Sequence, residues 1–164
     1  MESNKILKYC FILIALAGCQ STTKEDMDNL FYKESHRDDL VRIPLIKPME
    51  VISADKGSEW VFRLPYGQVM DKEIDISGID LIGVSGSFVV IHSSRMYFDS
   101  GMREVWFVID TAKQTETAIT DEQEYNKYIS ENNLKSLKLM NINEVFLQFD
   151  TNGQLPWDSN NHPE

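Results

Sequence analysis

Glu104-Val105-Trp106-Phe107-Val108-Ile109-Asp110 is the stretch whose reading decides the fold. Every position between its two acidic ends is apolar, and each is β-branched or aromatic. A strand that is apolar on both faces needs cover on both sides, so this one belongs at the centre of a sheet. Phe88-Val89-Val90-Ile91 has the same character and predicts a second central strand.

Outward from these two, short β-branched and aromatic runs are separated by Gly, Pro, Ser and Asp clusters, the pattern of strands and turns. It predicts strands at about 40–46, 49–54, 60–64, 79–84, 87–93, 104–110 and 144–150. Pro44 and Pro48 lack a backbone donor, which makes the first of these an edge strand or an extended arm. In the last, Val145, Leu147 and Phe149 alternate with polar and aromatic residues. One helix is expected near residues 121–132. Thr120 supplies its N-cap, Asp121, Glu122 and Glu124 its acidic first turn, and Asn132 and Asn133 its end. Tyr125, Tyr128 and Ile129 share one stripe of that helix, which packs on the sheet. The expected class is α+β, a mainly antiparallel sheet with one helix.

At the other end of the chain, Lys5 and Lys8 precede the apolar run from Tyr9 to Ala17, which closes on Leu16-Ala17-Gly18-Cys19. A basic start and an apolar core of about 7 to 15 residues make a signal peptide. A spanning helix needs about 20 apolar residues, and Gln20 to Lys24 end this run well short of that. Leu16-Ala17-Gly18-Cys19 resembles the bacterial lipoprotein signal, or lipobox. That resemblance covers residues 1 to about 20. It implies cleavage before Cys19, a diacylglyceryl group on its sulfur and acylation of its amine, for instance with palmitate. Two or more acyl chains make a lasting anchor, at about 0.8 kcal/mol per buried methylene. In lipoproteins of double-membraned bacteria an aspartate after the cysteine favours the inner membrane. Gln20 therefore implies the outer membrane. Lys24-Glu25-Asp26 resembles an acidic surface-export signal but lies further from Cys19 than that pattern requires, so the domain is expected to face the periplasm.

The expected organisation is a cleaved signal peptide at 1–18, a lipidated N-terminus and flexible tether at 19–38, a single α+β domain at 39–157 and a polar tail at 158–164. Within the tether, Leu30, Phe31 and Tyr32 form an apolar cluster able to dock on the domain or on a partner. Cleavage removes Lys5, Lys8 and Glu2, so the 16 basic and 26 acidic residues of the chain become 14 and 25, a net charge of −11. Such a chain lacks the lysine and arginine footprint that phosphate backbones require, and nucleic acid is not an expected partner. Cys10 leaves with the signal peptide and Cys19 is acylated, so no cysteine pair is left for a disulfide.

Chemistry is sparse. Gly83-Val84-Ser85-Gly86-Ser87 approaches the G-x-S-x-G elbow of hydrolases, but the final glycine is missing and a strand rather than a helix follows. A hairpin turn accounts for it. His36 and His162 flank the body, and His92 is the only histidine within it. At a strand end beside Ser93, Ser94 and Arg95, His92 is either a general base or a residue satisfied by backbone or a carboxylate, and the second reading needs no unseen nucleophile. Zinc has too few ligands, and no cofactor is expected. Two acidic groups, Asp71-Glu73-Asp75 and Asp150-Asn152-Gly153, gesture at calcium without a full loop. Trp60, Tyr66 and Trp157 lie near loops or chain ends, where they either cap the sheet edges or anchor a partner; they are the candidate partner-binding residues, Trp60 and Trp157 being the best placed for exposure.

The expected function is that of an outer-membrane-anchored periplasmic lipoprotein, a non-enzymatic protein-interaction module of inhibitor or immunity type. The alternative is an envelope assembly or structural accessory lipoprotein. A hydrolase using His92 with Ser85 or Ser94 ranks last, because it needs a serine within hydrogen-bond reach of the ring.

Overall fold

In the computed structural model, which describes residues 30–71 and 74–158, the stretch from Glu104 to Asp110 lies inside a five-stranded antiparallel sheet. Numbered along the chain, the strands are β1 (His36–Arg37), β2 (Leu40–Pro44), β3 (Glu50–Ser53), β4 (Phe62–Arg63), β5 (Asp75–Ile76), β6 (Ile79–Ser85), β7 (Phe88–Phe98), β8 (Gly101–Asp110), β9 (Thr115–Ile119) and β10 (Met140–Asn141). The helices are α1 (Glu122–Glu131) and α2 (Ile142–Asn152). The main sheet runs β10-β6-β7-β8-β9, so the two runs apolar on both faces do occupy inner lanes.

Turn chemistry sets this order. Ser85 pairs with Phe88 around Gly86, whose φ of 56° is left-handed, so the Ser85-Gly86-Ser87 segment is a hairpin turn. Phe98 pairs with Gly101 across Asp99 and Ser100, with φ of 47° and 71°, the two positive values a type I′ turn requires. Asp110 pairs with Thr115, and its buried Oδ1 accepts from the amides of Ala112 and Lys113 and from the Ser87 hydroxyl.

The inner face of the sheet, with Ile82, Val89, Ile91, Val105, Phe107 and Ile109, is covered by three groups. These are a small sheet β1-β2-β3, the β4–β5 pair joined to it through the bridge Ile52↔Val61, and α2. The outer face, with Val90, Trp106 and Val108, is covered by α1 through Tyr125 and by the segment around Leu137 and Leu139. That segment crosses Gly83 so closely that a Cβ there would lie 2.7 Å from the Lys138 carbonyl oxygen. Glycine is required by close approach, not by a catalytic elbow.

α1 lies where expected, with one change. Its N-cap is Asp121, whose Oδ1 accepts from the Glu124 amide at 2.9 Å, and not Thr120. It ends at Asn132, and Asn133 takes the left-handed φ of 57°.

The strand expected at 144–150 is a correction: this segment is the middle of α2. Asn141 caps it by accepting from the amides of Asn143 and Glu144, and Gly153 closes it with φ of 66° and an N–H bonded to the Phe149 carbonyl at 2.8 Å. Ile142, Val145 and Phe149 form the buried stripe, at helical spacing, while Leu147 is 67% exposed.

β2 is also corrected, since it lies between β1 and β3 and is no edge. The Arg42 amide donates to the Ser35 carbonyl, so by the period of two the Pro44 nitrogen also faces the β1 side. β1 has ended there, its two residues pairing only with Leu40 and Val41, and the missing donor breaks no ladder.

The described part of the segment read as flexible tether is tied to the domain from Phe31 onward. The Tyr32 hydroxyl accepts from the Lys47 amide at 3.0 Å, and the Phe31 ring lies 4.6 Å from the buried Arg42 guanidinium. Arg37 meets Glu50 at 3.0 Å, while Arg42 Nε and the other Glu50 oxygen are 2.6 Å apart but poorly aligned for a hydrogen bond. Ser35 and His36 both bond Asp150 on α2, at 2.6 and 2.8 Å.

Candidate functional site

Beyond the first turn of α1 the outer face of the sheet is left open by the described residues, and the chemistry-bearing side chains gather there. β6 pairs with β7 only as far as Ser93, and β9 pairs with β8 only as far as Trp106. Beyond these points β7 and β8 continue as a two-stranded ribbon to the Asp99-Ser100 turn.

At the root of the ribbon sits His92, 4% exposed. It is paired with Leu81 on β6 and with Trp106 on β8. Its Nδ1 lies 2.5 Å from Asp80 Oδ1 and its Nε2 2.8 Å from Glu104 Oε1. An ionised carboxylate only accepts, so each contact needs a proton on the ring nitrogen or on the carboxyl it meets. The ring also packs on Trp106, which stacks on Tyr125 of α1 at 5.3 Å and 17°. Desolvation in this stack pushes the Tyr125 phenol up to about 12.

Further along the ribbon, Tyr97 and Met102 are directly opposed and 68% and 55% exposed. Met102 and Glu104 lie two residues apart on β8 and so share the open face. Cross-strand pairs with an aromatic partner stabilise a sheet, and none of the described residues forms a third layer above this one.

His92 is thus satisfied by carboxylates, the second of its two readings from the sequence, and no serine bonds it among the described residues. Ser85 pairs with Phe88 at the far end of the β6–β7 hairpin, and Ser94 is exposed and bonds Gly78 through its amide. The serine–histidine geometry that the hydrolase reading required is not formed. The two carboxylates sit on opposite ring nitrogens and cannot converge on one cation. Among the described residues no group of three His, Cys, Asp or Glu is arranged to hold a metal ion.

Trp60 and Trp157 are corrected from exposed candidates to core, at 2% and 3% exposure. Trp60 donates from Nε1 to Asn143 Oδ1 at 2.8 Å and so locks α2 to the loop before β4. Tyr66 is half-buried against the core, its amide donating to the Glu116 carboxylate at 2.6 Å. Asp150 is engaged by Ser35 and His36, and Asp75 takes both Arg63 contacts, at 2.7 and 3.1 Å. Cys19, the lipobox and Glu73 lie outside the described residues, as does most of the polar tail. No helix among the described residues is long and apolar enough to cross a membrane.

Asp80, Glu104, Tyr97 and Met102 are the residues that sequence reasoning passed over. The signal for Glu104 was its parity with Trp106 at the head of the quoted stretch, and for Tyr97 the continuation of β7 beyond the histidine. No family model, curated protein or solved structure matches this chain.

Proposed function

We propose that this chain is a lipoprotein anchored in the outer membrane through Cys19, facing the periplasm, whose domain binds another protein instead of transforming a substrate. The anchoring half of the reading stands on Leu16-Ala17-Gly18-Cys19 behind its basic, apolar leader. The binding half stands on one observation, the Tyr97–Met102 pair, an aromatic and a methionine held outward on a hydrogen-bonded ribbon and left uncovered by the described residues. Aromatic and methionine side chains are what the centres of protein interfaces accumulate. His92 supports the reading from another side, because both of its ring nitrogens are already engaged. The acidic chain would meet a basic partner at rates that salt reduces, the behaviour of an inhibitor or immunity protein.

The test is crosslinking in living cells of the full lipoprotein with a C-terminal tag, beside Cys19→Ala and Tyr97→Asp variants. A basic partner that persists in Cys19→Ala and is lost in Tyr97→Asp supports the reading. A stoichiometric membrane partner lost in Cys19→Ala replaces it with an envelope assembly role, and no specific partner removes it.

A further inference from the structure

We infer that the lane beside residues 101–105 of β8 is a docking edge for an extended segment of another protein, one that sets a basic side chain opposite Glu104 and an apolar one opposite Met102. The inference rests on the partner-binding reading above and names where and how the partner binds. β8 is ten residues long, but β9 pairs only with its second half, from Asp110 back to Trp106. At Ile119 the chain leaves the lane, and two residues later Asp121 caps α1. The same lane then runs on past residues 101–105 with no strand of the described residues in it. Alternate residues of a strand direct their N–H and C=O groups to one side, so this half of β8 presents main-chain donors and acceptors to an incoming strand. No backbone hydrogen bond from a turn or loop of the described residues occupies them.

The chemistry of the occupant follows from what flanks the lane. Met102 and Glu104 point to the open face, next to Tyr97, and Asp80 adds a second carboxylate across His92. The far end of the lane is closed by the first turn of α1, with Asp121, Glu122 and Glu124. Carboxylates therefore stand at both the side and the end of the open lane. β9 is antiparallel to β8, and a segment that continues its lane would run in the same direction. Main-chain bonds supply affinity in such strand addition, and the side chains on the open face supply selectivity.

The test uses the mature lipoprotein in detergent micelles and two blocked pentapeptides, Thr-Lys-Thr-Val-Thr and Thr-Glu-Thr-Val-Thr, which in antiparallel register set Lys or Glu opposite Glu104 and Val opposite Met102. Amide hydrogen exchange is the readout. With the basic peptide at about four times its Kd, outward-facing amides among residues 101–105 slow about fivefold, in proportion to occupancy. The acidic twin leaves them unchanged, added salt weakens the effect, and Glu104→Lys reverses the preference. If Glu104→Lys does not fold, judged by exchange at residues 89–91, Met102→Lys, which sets a cation beside the retained Glu104, removes the preference between the two peptides. Protection elsewhere, equal protection by both peptides, or none at millimolar basic peptide overturns the inference. Should the crosslinking above still capture a basic partner that needs Tyr97, the partner-binding reading stands and only the docking edge is lost.

Discussion

His92 and Trp106 face each other across β7 and β8 with ring centroids 4.7 Å apart and planes tilted by 40°. The imidazole thus has two roles, filling the stack beneath α1 and tying Asp80 to Glu104. His92→Phe keeps the first and gives up the second, leaving two part-exposed carboxylates that water can solvate. His92→Ala gives up both and leaves a cavity. The alanine variant should lose about 2–4 kcal/mol and the phenylalanine variant clearly less, read from urea unfolding. Equal losses would mean that the carboxylate contacts, rather than packing, hold this part of the sheet.

The acid limb of stability should depend on Asp150. The Ser35 hydroxyl, followed by the His36 ring, holds its carboxyl below the ordinary 3.8, partly offset by burial. A depressed carboxyl contributes stability that is fully present above the unfolded value and is lost as pH falls through the folded one. Melting temperature should therefore fall as pH drops below about 4. Asp150→Asn should flatten that fall while costing less than ~1 kcal/mol at neutral pH, since the pair is at the surface. Asp110 adds to the same limb. Burial would raise it, but the Lys113 amide and ammonium, the Ser87 hydroxyl and the Ala112 amide outweigh burial and leave it lowered.

Tyr125 governs the alkaline limb. Its phenol stays protonated in the fold to about 12, whereas the unfolded chain ionises near 10. Between those values the unfolded state binds fewer protons, so stability falls as pH rises. Tyr125→Phe should remove this part of the slope, and absorbance near 295 nm during a pH titration should show one tyrosine titrating late.

Two neighbouring odd-numbered positions separate helix from strand at 142–152. As a strand, Leu147 and Phe149 would point to the same side. In α2, Phe149 is buried and Leu147 exposed. Leu147→Lys should change stability by no more than ~0.5 kcal/mol, and Phe149→Ala should cost about 3–5 kcal/mol, both from denaturant unfolding. A large loss in Leu147→Lys would restore the strand.

That segment also shows where sequence reading stops. Val145, Leu147 and Phe149 satisfy a period of two, and Ile142, Val145 and Phe149 satisfy a period near 3.6, in the same eleven residues. The β-branched and aromatic content favoured the strand. The signals that decide otherwise are the caps, Asn141 and Gly153, and the second also belongs to the Asp150-Asn152-Gly153 group that gestures at calcium. β9 escaped notice because Thr-Glu-Thr-Ala-Ile carries a glutamate that propensity places outside. Glu116 is buried because it accepts the amides of Tyr66 and Gln68, a partnership 48 to 50 residues away in sequence. By contrast β7, β8, the turn at Gly86 and α1 were legible, since each rests on local composition and on turn or cap chemistry. His92 was legible as a residue to watch, but its partners were not. Asp80 and Glu104 reach it only through the register of three strands, which no single window of sequence contains.

The contacts of Phe31 and Tyr32 with the domain set a working radius. With Cys19 as the anchor proposed here, twelve peptide steps separate it from Phe31, whose ring meets Arg42, a contour of at most ~43 Å. Had the chain been loose through Asp38, nineteen steps would have allowed roughly 70 Å. The Ser35–Asp150 and Tyr32–Lys47 contacts therefore act as a cleat that shortens the mooring line. With the anchor and the binding role proposed here, a domain moored this closely samples a thin layer above the bilayer, and its partner must come down into that layer.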